Sequence, residues 1–360
     1  MNIAKVTTMN KNSEEVLHGN SSGSENLKFP YEIKKIDSDT NKEMLELFSG
    51  ETIGYVQVGP KNYFLSIKYE SNAEEIYNFK VRSDDIWLVT FPRSGSTLTQ
   101  EMVWLLANNL DYDAAMKTLL LDRFRYLESA IHFNRDVMYQ IQERTNLSQE
   151  NQKVLEQMCV PLTKSLEEQT GKRFIRTHLP FSLLPPNLLT SGCKVIYVAR
   201  NPKDTMVSFY HFCKLCVFQG YAGDLEQFAN LFMEDRVIFL PYWSHLEEAW
   251  KLRGSKNFFF MTYEEMNKDI RQSIKKVSKF LGKNVTEKQL EKLENHLQIE
   301  SFRNNPMVNN DILVDVGIFN KCDERFIRNG KVSSPKDDTD EEYIKKFNEW
   351  VKNKNVYIED

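Results

Sequence analysis

Along this chain, short apolar runs rich in strand-forming residues alternate with longer stretches of helical period. Ile86-Trp87-Leu88-Val89-Thr90 is apolar nearly throughout, the pattern of a strand covered on both faces. Phe91-Pro92 ends it, because proline cannot donate to a ladder. From there Leu98, Met102, Leu105 and Leu106 recur on one helical face. Further buried strands are predicted at 173–177, 194–199 and 257–262, with helices at 202–218, 270–281, 287–297 and 341–352. Two short runs at 54–59 and 63–67, split by Gly59-Pro60-Lys61-Asn62, predict a hairpin. Strands alternating with helices imply a single α/β domain with a mostly parallel sheet flanked by helices. Residues 1–27 are rich in Asn, Ser, Glu and Lys and are expected to form a disordered polar tail before a domain spanning 28–360. Residues 112–170 are polar and loosely helical, an insertion of the kind that borders a binding site.

Composition changes this picture by exclusion. A net charge of −4 provides no basic field for nucleic acid or an anionic membrane, so an anionic ligand must meet local cations. No apolar run has the length of a membrane span, and the first residues lack the apolar core of a signal peptide. The expected location is the cytoplasm. Five cysteines without a framework suit a reducing compartment, and Cys213-Lys214-Leu215-Cys216 is read as buried free thiols rather than a metal or redox site.

Chemistry concentrates where strands end. After the first core strand comes Arg93-Ser94-Gly95-Ser96-Thr97, then a helix start. Free backbone N–H groups and the positive helix end there suit an anion, although an ordinary strand–helix turn with an exposed arginine would read the same way. The second strand ends at Arg176-Thr177-His178. The third ends at Arg200, with Asn201 as an N-cap, Pro202 at the first helical position and Ser208 two turns on. Ligands of open α/β sheets bind beyond the carboxyl ends of the strands, so three arginines and a histidine at such ends suit a polyanion beside a proton acceptor. Alone, His178 is more often a structural histidine, and its place at a strand end beside anion-binding groups is what raises the reading as a general base. No nucleoside-triphosphatase loop of the form G-x-x-x-x-G-K-[ST] is present, and no magnesium ligand set is legible.

Several segments together carry a resemblance to a known family. Phe91 to Thr97, Arg176-Thr177-His178-Leu179-Pro180, Tyr197 to Asp204, Ser208 to Phe212, Thr262 to Met266, Ser301 to Met307 and Phe326 to Gly330 resemble, in order, the motifs of the cytosolic sulfotransferases. The wording is most similar to insect members of retinol-dehydratase type. The resemblance implies transfer of a sulfuryl group from 3′-phosphoadenosine 5′-phosphosulfate (PAPS) to a hydroxyl, with 3′-phosphoadenosine 5′-phosphate (PAP) as product and no metal. It implies that Arg93, Ser94, Gly95, Ser96 and Thr97 hold the phosphosulfate. Arg200 and Ser208 would hold the 3′-phosphate, with Arg328, Asn329 and Gly330, while Leu98, Tyr263 and Phe302 would place the adenosine. His178 would be the general base, assisted by Arg93 and Arg176.

The chain departs from the family at Arg93 and Arg176, where lysines are usual, at Leu98 for a tryptophan, at Glu300 for a threonine and at Asn329 for a lysine. Those changes leave a non-catalytic binder of a lipid-like ligand as the alternative. Aromatic residues near the strand ends, Tyr126, Phe181 and Phe212, are expected to line a pocket for a small hydrophobic alcohol or phenol. The partner is then that acceptor, and the protein a monomer or homodimer.

Overall fold

The structure is a computed structural model that describes residues 27–160, 162–321, 326–327 and 341–354. Five parallel strands form the central sheet: β4 (Ile86–Thr90), β5 (Arg125–Tyr126), β6 (Phe174–Thr177), β7 (Lys194–Ala199) and β8 (Phe258–Thr262), in the order β5-β6-β4-β7-β8. Three earlier strands, β1 (Ile33–Lys35), β2 (Tyr55–Val58) and β3 (Tyr63–Ser66), make a separate antiparallel sheet. The predicted hairpin is β2–β3, with Val58 opposite Tyr63.

Period-two alternation explains why the central strands are apolar throughout. Trp87 and Val89 of β4, with Val195 and Tyr197 of β7, point into one core, whereas Ile86, Leu88, Ile196 and Val198 point into another. A third apolar cluster joins Val137, Ile141 and Leu155 of the insertion to Leu215–Phe218 and to Leu313–Phe319. At the amino ends of the strands, Arg173 makes a bidentate pair with Asp85, donating Nε to Oδ1 at 2.8 Å and Nη2 to Oδ2 at 2.6 Å, with both residues buried.

The strands predicted at 194–199 and 257–262, the helix Ile270–Leu281 closed by Gly282 with φ 70°, and the helix Glu341–Lys352 stand within a residue of expectation. Other elements differ. The helix starting at Pro202 ends at Leu215, not 218, and Val217 donates instead to the Ile318 carbonyl. The insertion is not only helical, since it supplies edge strand β5, registered on β6 through Arg125 with Ile175 and Tyr126 with Arg176. Residues 1–26, the bulk of the expected tail, lie outside the described residues.

Candidate active site

All five parallel strands deliver polar residues to one end of the sheet. After β4, Arg93 (φ 68°) and Gly95 (φ 92°) take left-handed conformations, and the helix Ser96–Ala107 begins directly behind them. Gly95 is required twice over, since a Cβ there would come within 2.5 Å of Tyr263 Cδ2 in a backbone region that favours glycine. Ser94 is fully buried, and its hydroxyl has no hydrogen-bond partner among the described residues. An orphaned buried hydroxyl beside a helix N-terminus fits an anionic ligand supplying the missing acceptor.

Arg200, just past β7, donates Nη1 to the Arg93 carbonyl at 2.9 Å and lies 4.4 Å over the ring of Tyr263. Its buried Nε, like the Ser94 hydroxyl, has no partner among the described residues. Arg93 in turn donates Nε to Ser208 Oγ at 3.1 Å and Nη2 to the Phe326 carbonyl at 3.2 Å, between the rings of Phe212 and Phe326. Two residues assigned to opposite ends of the nucleotide are thus linked directly. Leu98, Tyr263 and Phe302 share one apolar cluster, with Phe302 itself buried. Arg328, Asn329 and Gly330 lie outside the described residues.

His178 follows β6. Its Nδ1 lies 2.9 Å from the Thr90 carbonyl, which can only accept, and 3.0 Å from the Thr90 hydroxyl, which can do either; the carbonyl on one side and the donor-only Arg176 on the other together place the proton on Nδ1. Nε2 therefore holds the lone pair, and it faces Arg176 Nη1 at 3.3 Å, a group that can only donate. Burial, together with the Arg176 charge, pushes the imidazole well below its ordinary range, so it is neutral near neutral pH. The His178 backbone is held as well: its N–H donates to Glu128, and its carbonyl accepts from His245 Nε2 at 3.0 Å. His245 Nδ1 in turn accepts from the Tyr197 hydroxyl at 2.9 Å.

Burial raises Glu128 to about 7, against the lowering pull of the His178 N–H and the Arg176 charge. Burial likewise lowers His245 to about 4. Neither residue was singled out in the sequence. A buried glutamate in a helical-looking insertion and a histidine on the helix Tyr242–Lys251 carry no motif of their own.

Beyond His178 lies a cavity of about 90 Å³, several times the roughly 10–15 Å³ that one water needs. Its polar end is formed by Arg93, Ser96, Thr97, Gln100, Arg176 and His178, and most of its remaining wall is aromatic or aliphatic. Tyr126 and Phe212 line it as expected; Tyr126 sits 3.9 Å under the Arg176 guanidinium and edge-on to His178. Phe181 does not line it. The chain turns into a short 3-10 helix there, and the Phe181 ring packs against Tyr197 and Phe258. His132 and Phe239, unmarked in the sequence, complete the wall.

Comparison with known proteins decides the family. Residues 83–357 match the model of the sulfotransferase domain. This chain is a sulfotransferase. It is 34% identical to luciferin sulfotransferase of Photinus pyralis over 331 residues, covering 89% of this chain and 85% of that one. Two crystal structures of retinol dehydratase, one with androsterone and the inactive cofactor PAP and one with retinol and PAP, superpose with a TM-score of 0.85 at 34% identity. Each match covers 91% of this sulfotransferase and 97% of the other chain. The fold is therefore the sulfotransferase fold, and the enzyme is a PAPS-dependent transferase of insect-like type. No helix among its described residues is long and apolar enough to cross a membrane.

Proposed function

We propose that this sulfotransferase acts on the hydroxyl of a small hydrophobic alcohol or phenol, with His178 as the general base. The carrying observation is the imidazole geometry. Nδ1 is tied to the Thr90 carbonyl, leaving the Nε2 lone pair on a neutral ring that lines the cavity. Bound PAPS supplies the electrophilic sulfur and, as PAP, the leaving group. The chain's own residues do the rest. His178 Nε2 takes the acceptor proton as the oxygen becomes a nucleophile. Arg93 and Arg176 bring fixed positive charge to the reactive end of the cavity, and its apolar walls exclude water.

In this reading Ser94, Gly95, Ser96 and Thr97 hold the phosphosulfate. Arg200 and Ser208 hold the 3′-phosphate with Arg328, Asn329 and Gly330, and Leu98, Tyr263 and Phe302 frame the adenosine. The orphaned Ser94 hydroxyl and Arg200 Nε support that assignment. The folded unit is taken as residues 28–360 and the location as the cytoplasm.

The test pairs His178→Ala with Arg200→Ala. General-base catalysis contributes roughly 10²–10⁴-fold, so His178→Ala should lose at least the lower figure in transfer to naphthol while PAP binding, read by calorimetry, stays nearly constant. Arg200→Ala should instead weaken PAP binding. An active His178→Ala enzyme would remove His178 from the mechanism.

A further inference from the structure

One buried polar side chain in the acceptor cavity has no task in the transfer. His132 is 7% exposed and packs among aromatic rings: Tyr126 at 5.9 Å and nearly parallel, Phe218 at 5.2 Å and Phe239 at 5.8 Å. Neither ring nitrogen has a hydrogen bond to any described residue. The nearest polar cluster is already satisfied within itself. A second, smaller cavity shares His132, Phe218 and Ile238 with the first and is also lined by Glu51, Ser66 and Lys68. There Lys68 Nζ pairs with Glu51 Oε1 at 3.3 Å, and Ser66 Oγ donates to Glu51 Oε2 at 2.6 Å. An imidazole without a protein partner that lines a cavity is left to exchange hydrogen bonds with water or with a ligand there.

Geometry gives the ligand's form. Tyr126 and Phe239 each contact both histidines, His178 at 5.5 and 5.8 Å and His132 at 5.9 and 5.8 Å between ring centroids. The two imidazoles therefore share the Tyr126 and Phe239 rings as neighbours and line the same cavity. Burial, with the Lys68 and Arg176 charges, lowers His132 to about 3, so its ring is neutral and offers one donor and one acceptor. That pair suits an uncharged hydroxyl or keto group.

We propose that His132 is a second polar anchor of the acceptor site. It hydrogen-bonds a hydroxyl or keto group that a compact polycyclic or biaryl acceptor carries in addition to the hydroxyl that is sulfated. The idea rests on the acceptor reading above. His132 is a specificity-determining residue in this role, since it binds the far group and takes no part in moving the proton.

The experiment uses two pairs of acceptors that differ by one hydroxyl: naphthol with naphthalenediol, and hydroxybiphenyl with dihydroxybiphenyl. Binding to the PAP-loaded protein is measured calorimetrically, and transfer from PAPS separately. At least one diol should bind the wild type more tightly than its mono-ol, by roughly threefold to tenfold for one added hydrogen bond. His132→Phe keeps the ring packing and should erase that preference by raising KM for the diol more than for the mono-ol, with the effect in KM rather than in kcat. His132→Gln, which restores a donor and an acceptor, should recover part of it, and PAP titration of each variant reports its folding. Equal binding of diol and mono-ol to the wild type in both pairs, or an intact preference in His132→Phe, overturns the proposal. Absence of transfer by the wild type, with its diol preference present and erased in His132→Phe, would instead strike the reading of these compounds as acceptors and leave the anchor standing.

Discussion

Burial holds three site histidines, His132, His178 and His245, on the neutral side of their ordinary behaviour, and it holds one carboxyl, Glu128, on the neutral side of its own. Each shift bears on stability. A histidine lowered from 6.5 to about 3 or about 4 binds fewer protons folded than unfolded in the acid range, so its stabilisation is full above pH 6.5 and lost as pH falls below it. Glu128, raised from 4.5 to about 7, acts oppositely, and its destabilisation grows as pH rises from 4.5 to 7. Three groups against one leave a net fall in stability from pH 6.5 toward pH 5, of order 2 kcal/mol for each uncompensated histidine. Urea unfolding at the two pH values measures it. A flat profile would mean that these imidazoles are protonated in the folded enzyme.

In the reading proposed above, nucleotide binding depends on the loop Arg93–Thr97, and its glycine is the point most easily damaged. Gly95→Ala places a Cβ at 2.5 Å from Tyr263 and in a left-handed backbone, a conformation that costs about 1–2 kcal/mol by itself. The Tyr263 ring must move, and the Arg200 stacked on it must follow. The expected result is PAP affinity weakened by more than tenfold with a smaller loss in thermal stability. Unchanged PAP affinity would take this loop out of the nucleotide site.

Elements like this loop were readable in advance because their local signals agree: an apolar strand, a proline stop, small residues, then helical period. Asn201 likewise caps its helix as expected, accepting from the Lys203 N–H at 2.9 Å. Strand β5 was not readable. Arg125-Tyr126 has no apolar alternation and is a strand only because β6 lies beside it. His132 and Glu128 owe their roles to burial by distant segments, which no spacing encodes. Phe181 misled for the same reason. Its place after a strand end suggested the pocket, but tertiary packing folds it under the sheet.

At the scale of the whole molecule, stability and chemistry occupy opposite ends of one sheet. The Asp85–Arg173 pair closes the amino ends of β4 and β6, with the Arg173 guanidinium also 4.8 Å over Phe79. Breaking one partner of such a buried pair costs about 3–5 kcal/mol. Asp85→Ala should therefore lower the unfolding midpoint substantially while PAP affinity of the folded fraction holds. A variant as stable as wild type would show that this pair adds nothing net.

The cavity wall gives the same separation a second meaning. The end proposed to hold the nucleotide is made by sequence held at the sheet, the turns after β4, β7 and β8. The acceptor end is made mostly by residues outside the five parallel strands, among them Leu120, His132, Phe133, Phe218, Phe239, Leu313 and Phe319, with Tyr126 of edge strand β5 as the part that the sheet holds. The enzyme is therefore divided like a tool with a fixed handle and an exchangeable bit. New acceptors are open to it through exchange of those residues alone, while the machinery that spends the sulfuryl donor stays as it is.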